Sequence, residues 1–273
     1  MNARTVSTPG ALNCGFAIGP LCATLLSTYS FALVFYLEAT MLVAVALLFV
    51  LTQRRSEGGV PERPSIALVA SVGALLRDRV FLVFVLAMTM FMAVYFQSVT
   101  TLPIVMATAG FSVPSYGALL AINGALLCLF QIPFVRVLER IRTTTILGWA
   151  VGLSIAGYLV QALATQWWHY ATAVVLWTLG ELGVFPVAAT IAADLAPPHL
   201  TATYQGMNAL MSTTGHMLAA LVGGLLLTAL GARGLWLCCV TALAAVLTIL
   251  LWTRTAREQR AQDGRTAAHA MHR

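Results

Sequence analysis

The chain has 273 residues, of which 60% are hydrophobic and 9% charged, with a net charge of +6. Soluble domains are about 45–50% apolar and about 25% charged, so this composition excludes an ordinary soluble globular protein. All 15 basic residues are arginine, and they are dispersed over the connections between apolar runs, which argues against a nucleic-acid partner and for contact with anionic lipid.

Eight long apolar segments follow one another: 6–27, 31–51, 80–106, 116–137, 144–163, 169–195, 204–228 and 235–252. Each approaches the roughly 20 residues that carry a helix across a 30 Å hydrocarbon core. Barrel strands alternate over about 10 residues, and these runs are too long and too uniform for that. The predicted fold class is therefore an all-α membrane protein, a polytopic bundle of eight transmembrane helices.

The first segment is the least regular, with Asn13, Pro9 and Pro20 among glycines at 10, 15 and 19. Segment two is apolar apart from Glu38. The stretch 54–64 is charged and rich in Gly and Pro, hence a loop. After it, SIALVASVGALL (65–76) reads as a short helix lying at the membrane surface. These breaks give a two-span unit (1–53), a connecting loop with an interfacial helix (54–79), a six-span bundle (80–253) and a polar tail (254–273) expected to fray. Two sets of three spans in the six-span bundle would suit an inverted repeat.

With the N-terminus in the cytoplasm and every segment spanning, 14 arginines fall on the cytoplasmic side and Arg233 alone outside. That is the asymmetry expected of a multi-pass protein with both termini cytoplasmic. The five cysteines all lie inside apolar segments, without CxxC or metal-ligand spacing, and no metal or cofactor is predicted. Gly15-x-x-x-Gly19 and Gly148-x-x-x-Gly152 are candidates for close helix contact.

The order of several short motifs resembles a known family. Asn13-Cys14-Gly15-Phe16-Ala17-Ile18-Gly19-Pro20 looks like the GxxxGP core of the antiporter motif on the fifth helix of drug exporters in the major facilitator superfamily. Tyr95, Gln97 and Leu102-Pro103, then Tyr116-Gly117, Asn123 and Gln131-Ile132-Pro133, resemble the seventh and eighth helices of those exporters. Gly180-Glu181, Pro186 and Asp194-Leu195-Ala196-Pro197, then Tyr204-Gln205-Gly206 and Gly223-Gly224, resemble the tenth and eleventh. The resemblance implies two helices of an N-terminal half followed by a complete six-helix C-terminal half, with the family's first four helices lacking. It also implies that Gly15, Gly19 and Pro20 form a bent gate helix.

Glu181 is the sharpest chemical signal. It falls at the middle of an apolar segment, where an ionised acid costs about 2.5–3.5 kcal/mol even on the lenient insertion scale. A partner, a water-filled cavity or a proton must compensate. His216, also at mid-depth, and Glu38 are further proton-coupling candidates. Tyr95, Gln97, Thr101, Asn123 and Gln131 are candidates to line a substrate cavity, and equally candidates for interhelical hydrogen bonds. Trp177, one turn before Glu181, would suit a lipophilic cation.

These readings predict a secondary transporter in a bacterial cytoplasmic membrane, exchanging protons for small lipophilic or drug-like molecules. Its partners would be membrane lipids, protons, the small-molecule substrate, and a second copy or an absent N-terminal half. The alternative is a non-transporting remnant or half of a split transporter. An intramembrane enzyme built on Glu181 and His216 is a remote third reading, because no GxSxG-like nucleophile or metal-ligand set accompanies them.

Overall fold

The computed structural model describes residues 26, 30–53, 65–138, 141–197, 200–260 and 262. Most of segment 6–27, with Gly15, Gly19 and Pro20, lies outside the described residues, as do the loop 54–64 and most of the tail. The described residues form α1 (Phe31–Gln53), α2 (Ser65–Leu76), α3 (Arg79–Tyr95), α4 (Gln97–Thr100), α5 (Leu102–Thr108), α6 (Val113–Leu138), α7 (Thr143–Ala162), α8 (Trp167–Leu195) and α9 (Thr201–Trp252). Five stretches are long and apolar enough to cross a membrane: Arg79–Thr108, Val113–Phe134, Thr143–Ala162, Trp167–Leu195 and Thr201–Trp252.

The last stretch holds two of the expected segments. At 52 residues α9 would be about 78 Å long if straight, more than twice the hydrocarbon thickness. Gly231 interrupts it with φ 69° and ψ 179°, a left-handed conformation that favours glycine. Asp78 is bonded both to Tyr204, near the start of α9, and to Arg260, just past its end. One residue can meet both only if the chain doubles back at Gly231, so α9 is two limbs, 201–230 and 232–252.

The same contacts sort the other helix ends. The starts of α3 and α7 and the end of α8 meet the segment that follows α9, through Asp78, Thr144 and Leu195. The starts of α6 and α8 meet at the opposite end, where Trp167 Nε1 donates to the Ser115 carbonyl over 3.0 Å. Arg77, Arg79, Arg142, Arg254, Arg257 and Arg260 belong to the first end. Arg233 lies beside the Gly231 turn at the other.

The segment 80–106, read from sequence as one helix, is broken at Phe96 and Thr101 into α3, α4 and α5. Hydroxyls near the first break bond back to main-chain carbonyls, Ser98 to Tyr95 over 2.8 Å and Thr100 to Phe96 over 2.9 Å. Pro103 at the start of α5 offers no N–H. In lipid, each loosened carbonyl needs another donor. Two tyrosines from neighbouring helices supply them: Tyr158 donates to Val94 O over 2.7 Å and Tyr116 to Ser98 O over 3.0 Å.

Small residues set the close crossings. A Cβ on Gly180 of α8 would lie 2.4 Å from Ser154 Oγ and 2.5 Å from Ala150 O of α7. One on Gly215 of α9 would lie 2.3 Å from Met92 Cβ of α3. The expected contact at Gly148 and Gly152 is not made among the described residues, where both face open space. The face of α7 that meets α8 is instead the Ala150–Ser154–Gly157 stripe, offset around the helix. Phe81, Phe84, Met88, Phe91 and Met92 bury the corresponding face of α3. α1 stands apart from this core, apolar around its circumference and largely exposed.

Candidate functional site

Glu181 is the central residue of α8, 14 residues from each end, or about 21 Å along the axis either way. The close α7–α8 crossing at Gly180 holds that point of the helix deep in the bundle. Glu181 Oε1 accepts a 2.7 Å bond from the Tyr95 hydroxyl, at the end of α3. Its Oε2 accepts a 2.9 Å bond from Asn123 Nδ2, from α6. The same Asn123 nitrogen donates to Thr178 Oγ1 over 3.0 Å, one turn earlier on α8. Three helices thus converge on one carboxyl group.

The surroundings are aromatic. Tyr95 meets Trp177 and Phe185 edge-on, with ring centroids 6.0 and 5.2 Å away. The Trp177 indole N–H is buried without a hydrogen-bond partner among the described residues. No cation is paired with Glu181 among the described residues, where the ion pair formed is Arg260–Asp78. Both bonds to the carboxyl come from neutral donors.

The residues singled out from sequence separate into groups. Tyr95, Asn123, Trp177 and Glu181 come together. Gln97 and Thr101 are buried beside them but engaged elsewhere: Gln97 Nε2 donates to the Ala93 and Ala219 carbonyls, and its Oε1 accepts from Thr101. Gly223 makes room for this amide, since a Cβ there would lie 2.2 Å from Gln97 Oε1. Gln131 is half-buried on α6, about 12 Å along the helix from Asn123. Glu38 lies exposed on α1 and does not join the cluster.

His216 is exposed rather than bonded to Glu181. Its ring stacks on Phe96, with centroids 4.4 Å apart and planes 12° from parallel. The pair borders an open groove of about 400 Å³ that is also lined by Ser212, Thr213, Met217 and Ala220. Phe96 sits at the helix break and its ring meets that of Tyr95 edge-on, with centroids 5.2 Å apart, so groove and carboxyl cluster adjoin through these two rings.

Sequence reasoning missed Thr178, Tyr158 and the Asp78 cluster. Thr178 sits one turn before Glu181 and was legible from spacing alone. Tyr158 had no such signal, because its role depends on the break in a different helix. At the arginine-rich end, Asp78 caps α3 by accepting from Phe81 N over 3.1 Å, and it accepts a 2.5 Å bond from Tyr204. Burial pushes the Asp78 carboxyl up, but its bonds from Arg260, Tyr204 and Phe81 outweigh that and hold it below the ordinary carboxylate range.

The sequence matches the profile of the Major Facilitator Superfamily over residues 9–126 and 97–271, which together span nearly the whole chain. The chain belongs to the major facilitator superfamily. It is 26% identical over 249 residues to a Bacillus subtilis (strain 168) protein described as the uncharacterized MFS-type transporter YttB. That alignment covers 89% of this chain and 62% of the relative's length. Membership accounts for the apolar helices and for irregular backbone kept inside the bundle.

Proposed function

We propose that this chain works as a proton-coupled exporter of small lipophilic or drug-like molecules, with Glu181 carrying the proton. The carrying observation is that Glu181 lies at the middle of a membrane-length helix, held by two neutral donors and by no cation among the described residues. A carboxylate in that setting is expensive in hydrocarbon. A proton, or a cationic substrate that displaces it, neutralises it. Release of one on arrival of the other is the exchange that an antiporter performs. The aromatic walls from Tyr95, Trp177 and Phe185, with the Phe96–His216 pair beside them, suit a flat lipophilic molecule. The arginine-rich end faces the cytoplasm of a bacterial cell membrane, following the positive-inside rule.

The test is transport by the purified chain in liposomes under an imposed pH gradient, with ethidium as the lipophilic cation. Accumulation that follows the gradient and disappears in Glu181→Gln supports the reading. Gradient-independent equilibration that survives the substitution overturns the proton role.

A further inference from the structure

The segment after α9 is not a loose tail. Residues 254–260 are helical and turn back against the bundle. Arg257 is buried, donates to the Leu250 carbonyl over 2.5 Å and lies 5.7 Å from the Phe84 ring centroid. Glu258 accepts a 2.6 Å bond from Thr144 at the start of α7. Arg260 forks: one guanidinium nitrogen pairs with Asp78 at the start of α3, and the other donates over 3.1 Å to the Leu195 carbonyl that ends α8.

The two helices bridged by Arg260 are the two that share the Tyr95–Glu181 bond. Measured along the axes, Asp78 is about 25 Å from Tyr95 on α3, and Leu195 is about 21 Å from Glu181 on α8. Bridge and bond are thus two rungs between the same rails, at one end and at mid-length. α3 and α8 otherwise touch over only a short stretch. A slide of about 1 Å, typical of helix shifts in transporters and switches, stretches a 2.7 Å hydrogen bond beyond useful length.

We propose that Arg260 is a positioning residue for the Glu181 site. Its fork fixes the axial register of α3 against α8, and the register makes the Tyr95–Glu181 bond. Asp78 is its anchor, held ready by the Phe81 amide and the Tyr204 hydroxyl. Lysine cannot replace the fork, because an ammonium is a point charge that lacks the guanidinium's paired geometry. The transport consequence rests on Glu181 being the proton carrier; the structural consequence does not.

The experiment uses the whole chain in lipid nanodiscs. The infrared signature of the Tyr95 phenol is isolated by difference against Tyr95→Phe, in wild type, Arg260→Gln and Arg260→Lys. Both substitutions should weaken the signature of the bonded phenol, Gln more than Lys, while Arg254→Gln on the same helix leaves it unchanged. Ethidium transport in liposomes should fall about fivefold in Arg260→Gln, the factor that one neutral hydrogen bond is worth, with half-saturation unchanged. An unchanged Tyr95 signature in Arg260→Lys, with hydrogen exchange showing residues 253–260 released, overturns the proposal even if Arg260→Gln does not fold. A shifted signature in a protein whose transport ignores the pH gradient supports the positioning role and removes the proton reading instead.

Discussion

Replacing Glu181 by glutamine separates the chemistry of the site from its architecture. Glutamine has nearly the same shape as glutamate, so it fits between Tyr95 and Asn123 without a cavity. Its carbonyl accepts the Tyr95 hydroxyl as Oε1 does now. Its amide then faces the Asn123 nitrogen, and two donors oppose each other. Rotating the Asn123 amide relieves that clash, and the Thr178 hydroxyl, now the acceptor, can turn to donate to the Asn123 oxygen. The cost is therefore at most one neutral hydrogen bond, about 0.5–1.5 kcal/mol. At about 2–4 °C per kcal/mol for a domain of this size, the melting temperature falls by a few degrees at most. Glu181→Ala removes both acceptors and leaves a void, at a cost of about 2–5 kcal/mol and a visibly lower melting temperature. Neither variant can exchange a proton. The assay pairs thermal unfolding in detergent with ethidium accumulation in liposomes under a pH gradient. The expected pattern is a glutamine variant that is folded but uncoupled and an alanine variant that is both uncoupled and unstable. Equal destabilisation by the two would refute the hydrogen-bond accounting, and gradient-driven accumulation in Glu181→Gln would refute the proton role.

Other outcomes follow from the same contacts. Gly180→Val places carbon atoms against Ser154 and Ala150, where even a Cβ comes within 2.5 Å of a main-chain oxygen; forcing α7 from α8 should cost about 1–3 kcal/mol, read as a lower unfolding temperature. Tyr158→Phe leaves the Val94 carbonyl short of a donor at the helix break, so hydrogen exchange in residues 94–101 should rise more than it does for Tyr36→Phe on exposed α1. Asp78 is held below its unfolded value of 3.8, so its contribution is fully present above about pH 4 and lost as pH falls through the lower folded value; Asp78→Asn should therefore flatten the acid limb of the stability profile. A single reactive cysteine at Thr143 should be labelled from the cytoplasm and one at Ala109 from outside, and the reverse pattern would invert the proposed orientation.

Much of the helical plan was legible because membrane segments announce themselves by length and charge. Those arginines of the two sequence sets that fall among the described residues, such as Arg77, Arg142 and Arg260 against Arg233, lie at two ends of the described bundle, and a mid-segment carboxyl was bound to be expensive wherever its helix packed. The partners of that carboxyl were harder to see. Asn123 and Tyr95 were visible as polar residues in apolar runs, but so were Gln97 and Thr101, which bind each other and the main chain. Composition cannot separate these fates, because the choice depends on which face of one helix meets which face of another. Gly148 and Gly152 make the same point: their spacing signals close contact, yet the approach is made on the stripe of α7 that carries Gly157.

The break at Phe96 shows why the site could not be completed from local sequence. Its causes are local: Ser98, Thr100 and Thr101 bond back to the helix, and Pro103 withholds a donor. Its tolerance is not local, since the Val94 and Ser98 carbonyls depend on Tyr158 and Tyr116 from the two helices that follow. The break falls beside two adjacent rings that point about 100° apart around the helix, Tyr95 toward Glu181 and Phe96 toward His216 and the groove. An intact helix would fix those two directions relative to each other. A broken one lets a molecule seated against Phe96 press on the segment that ends in Tyr95. Under the proposed proton role, occupancy of the groove and protonation of Glu181 would then act on the same few residues, which is the physical requirement for coupling them.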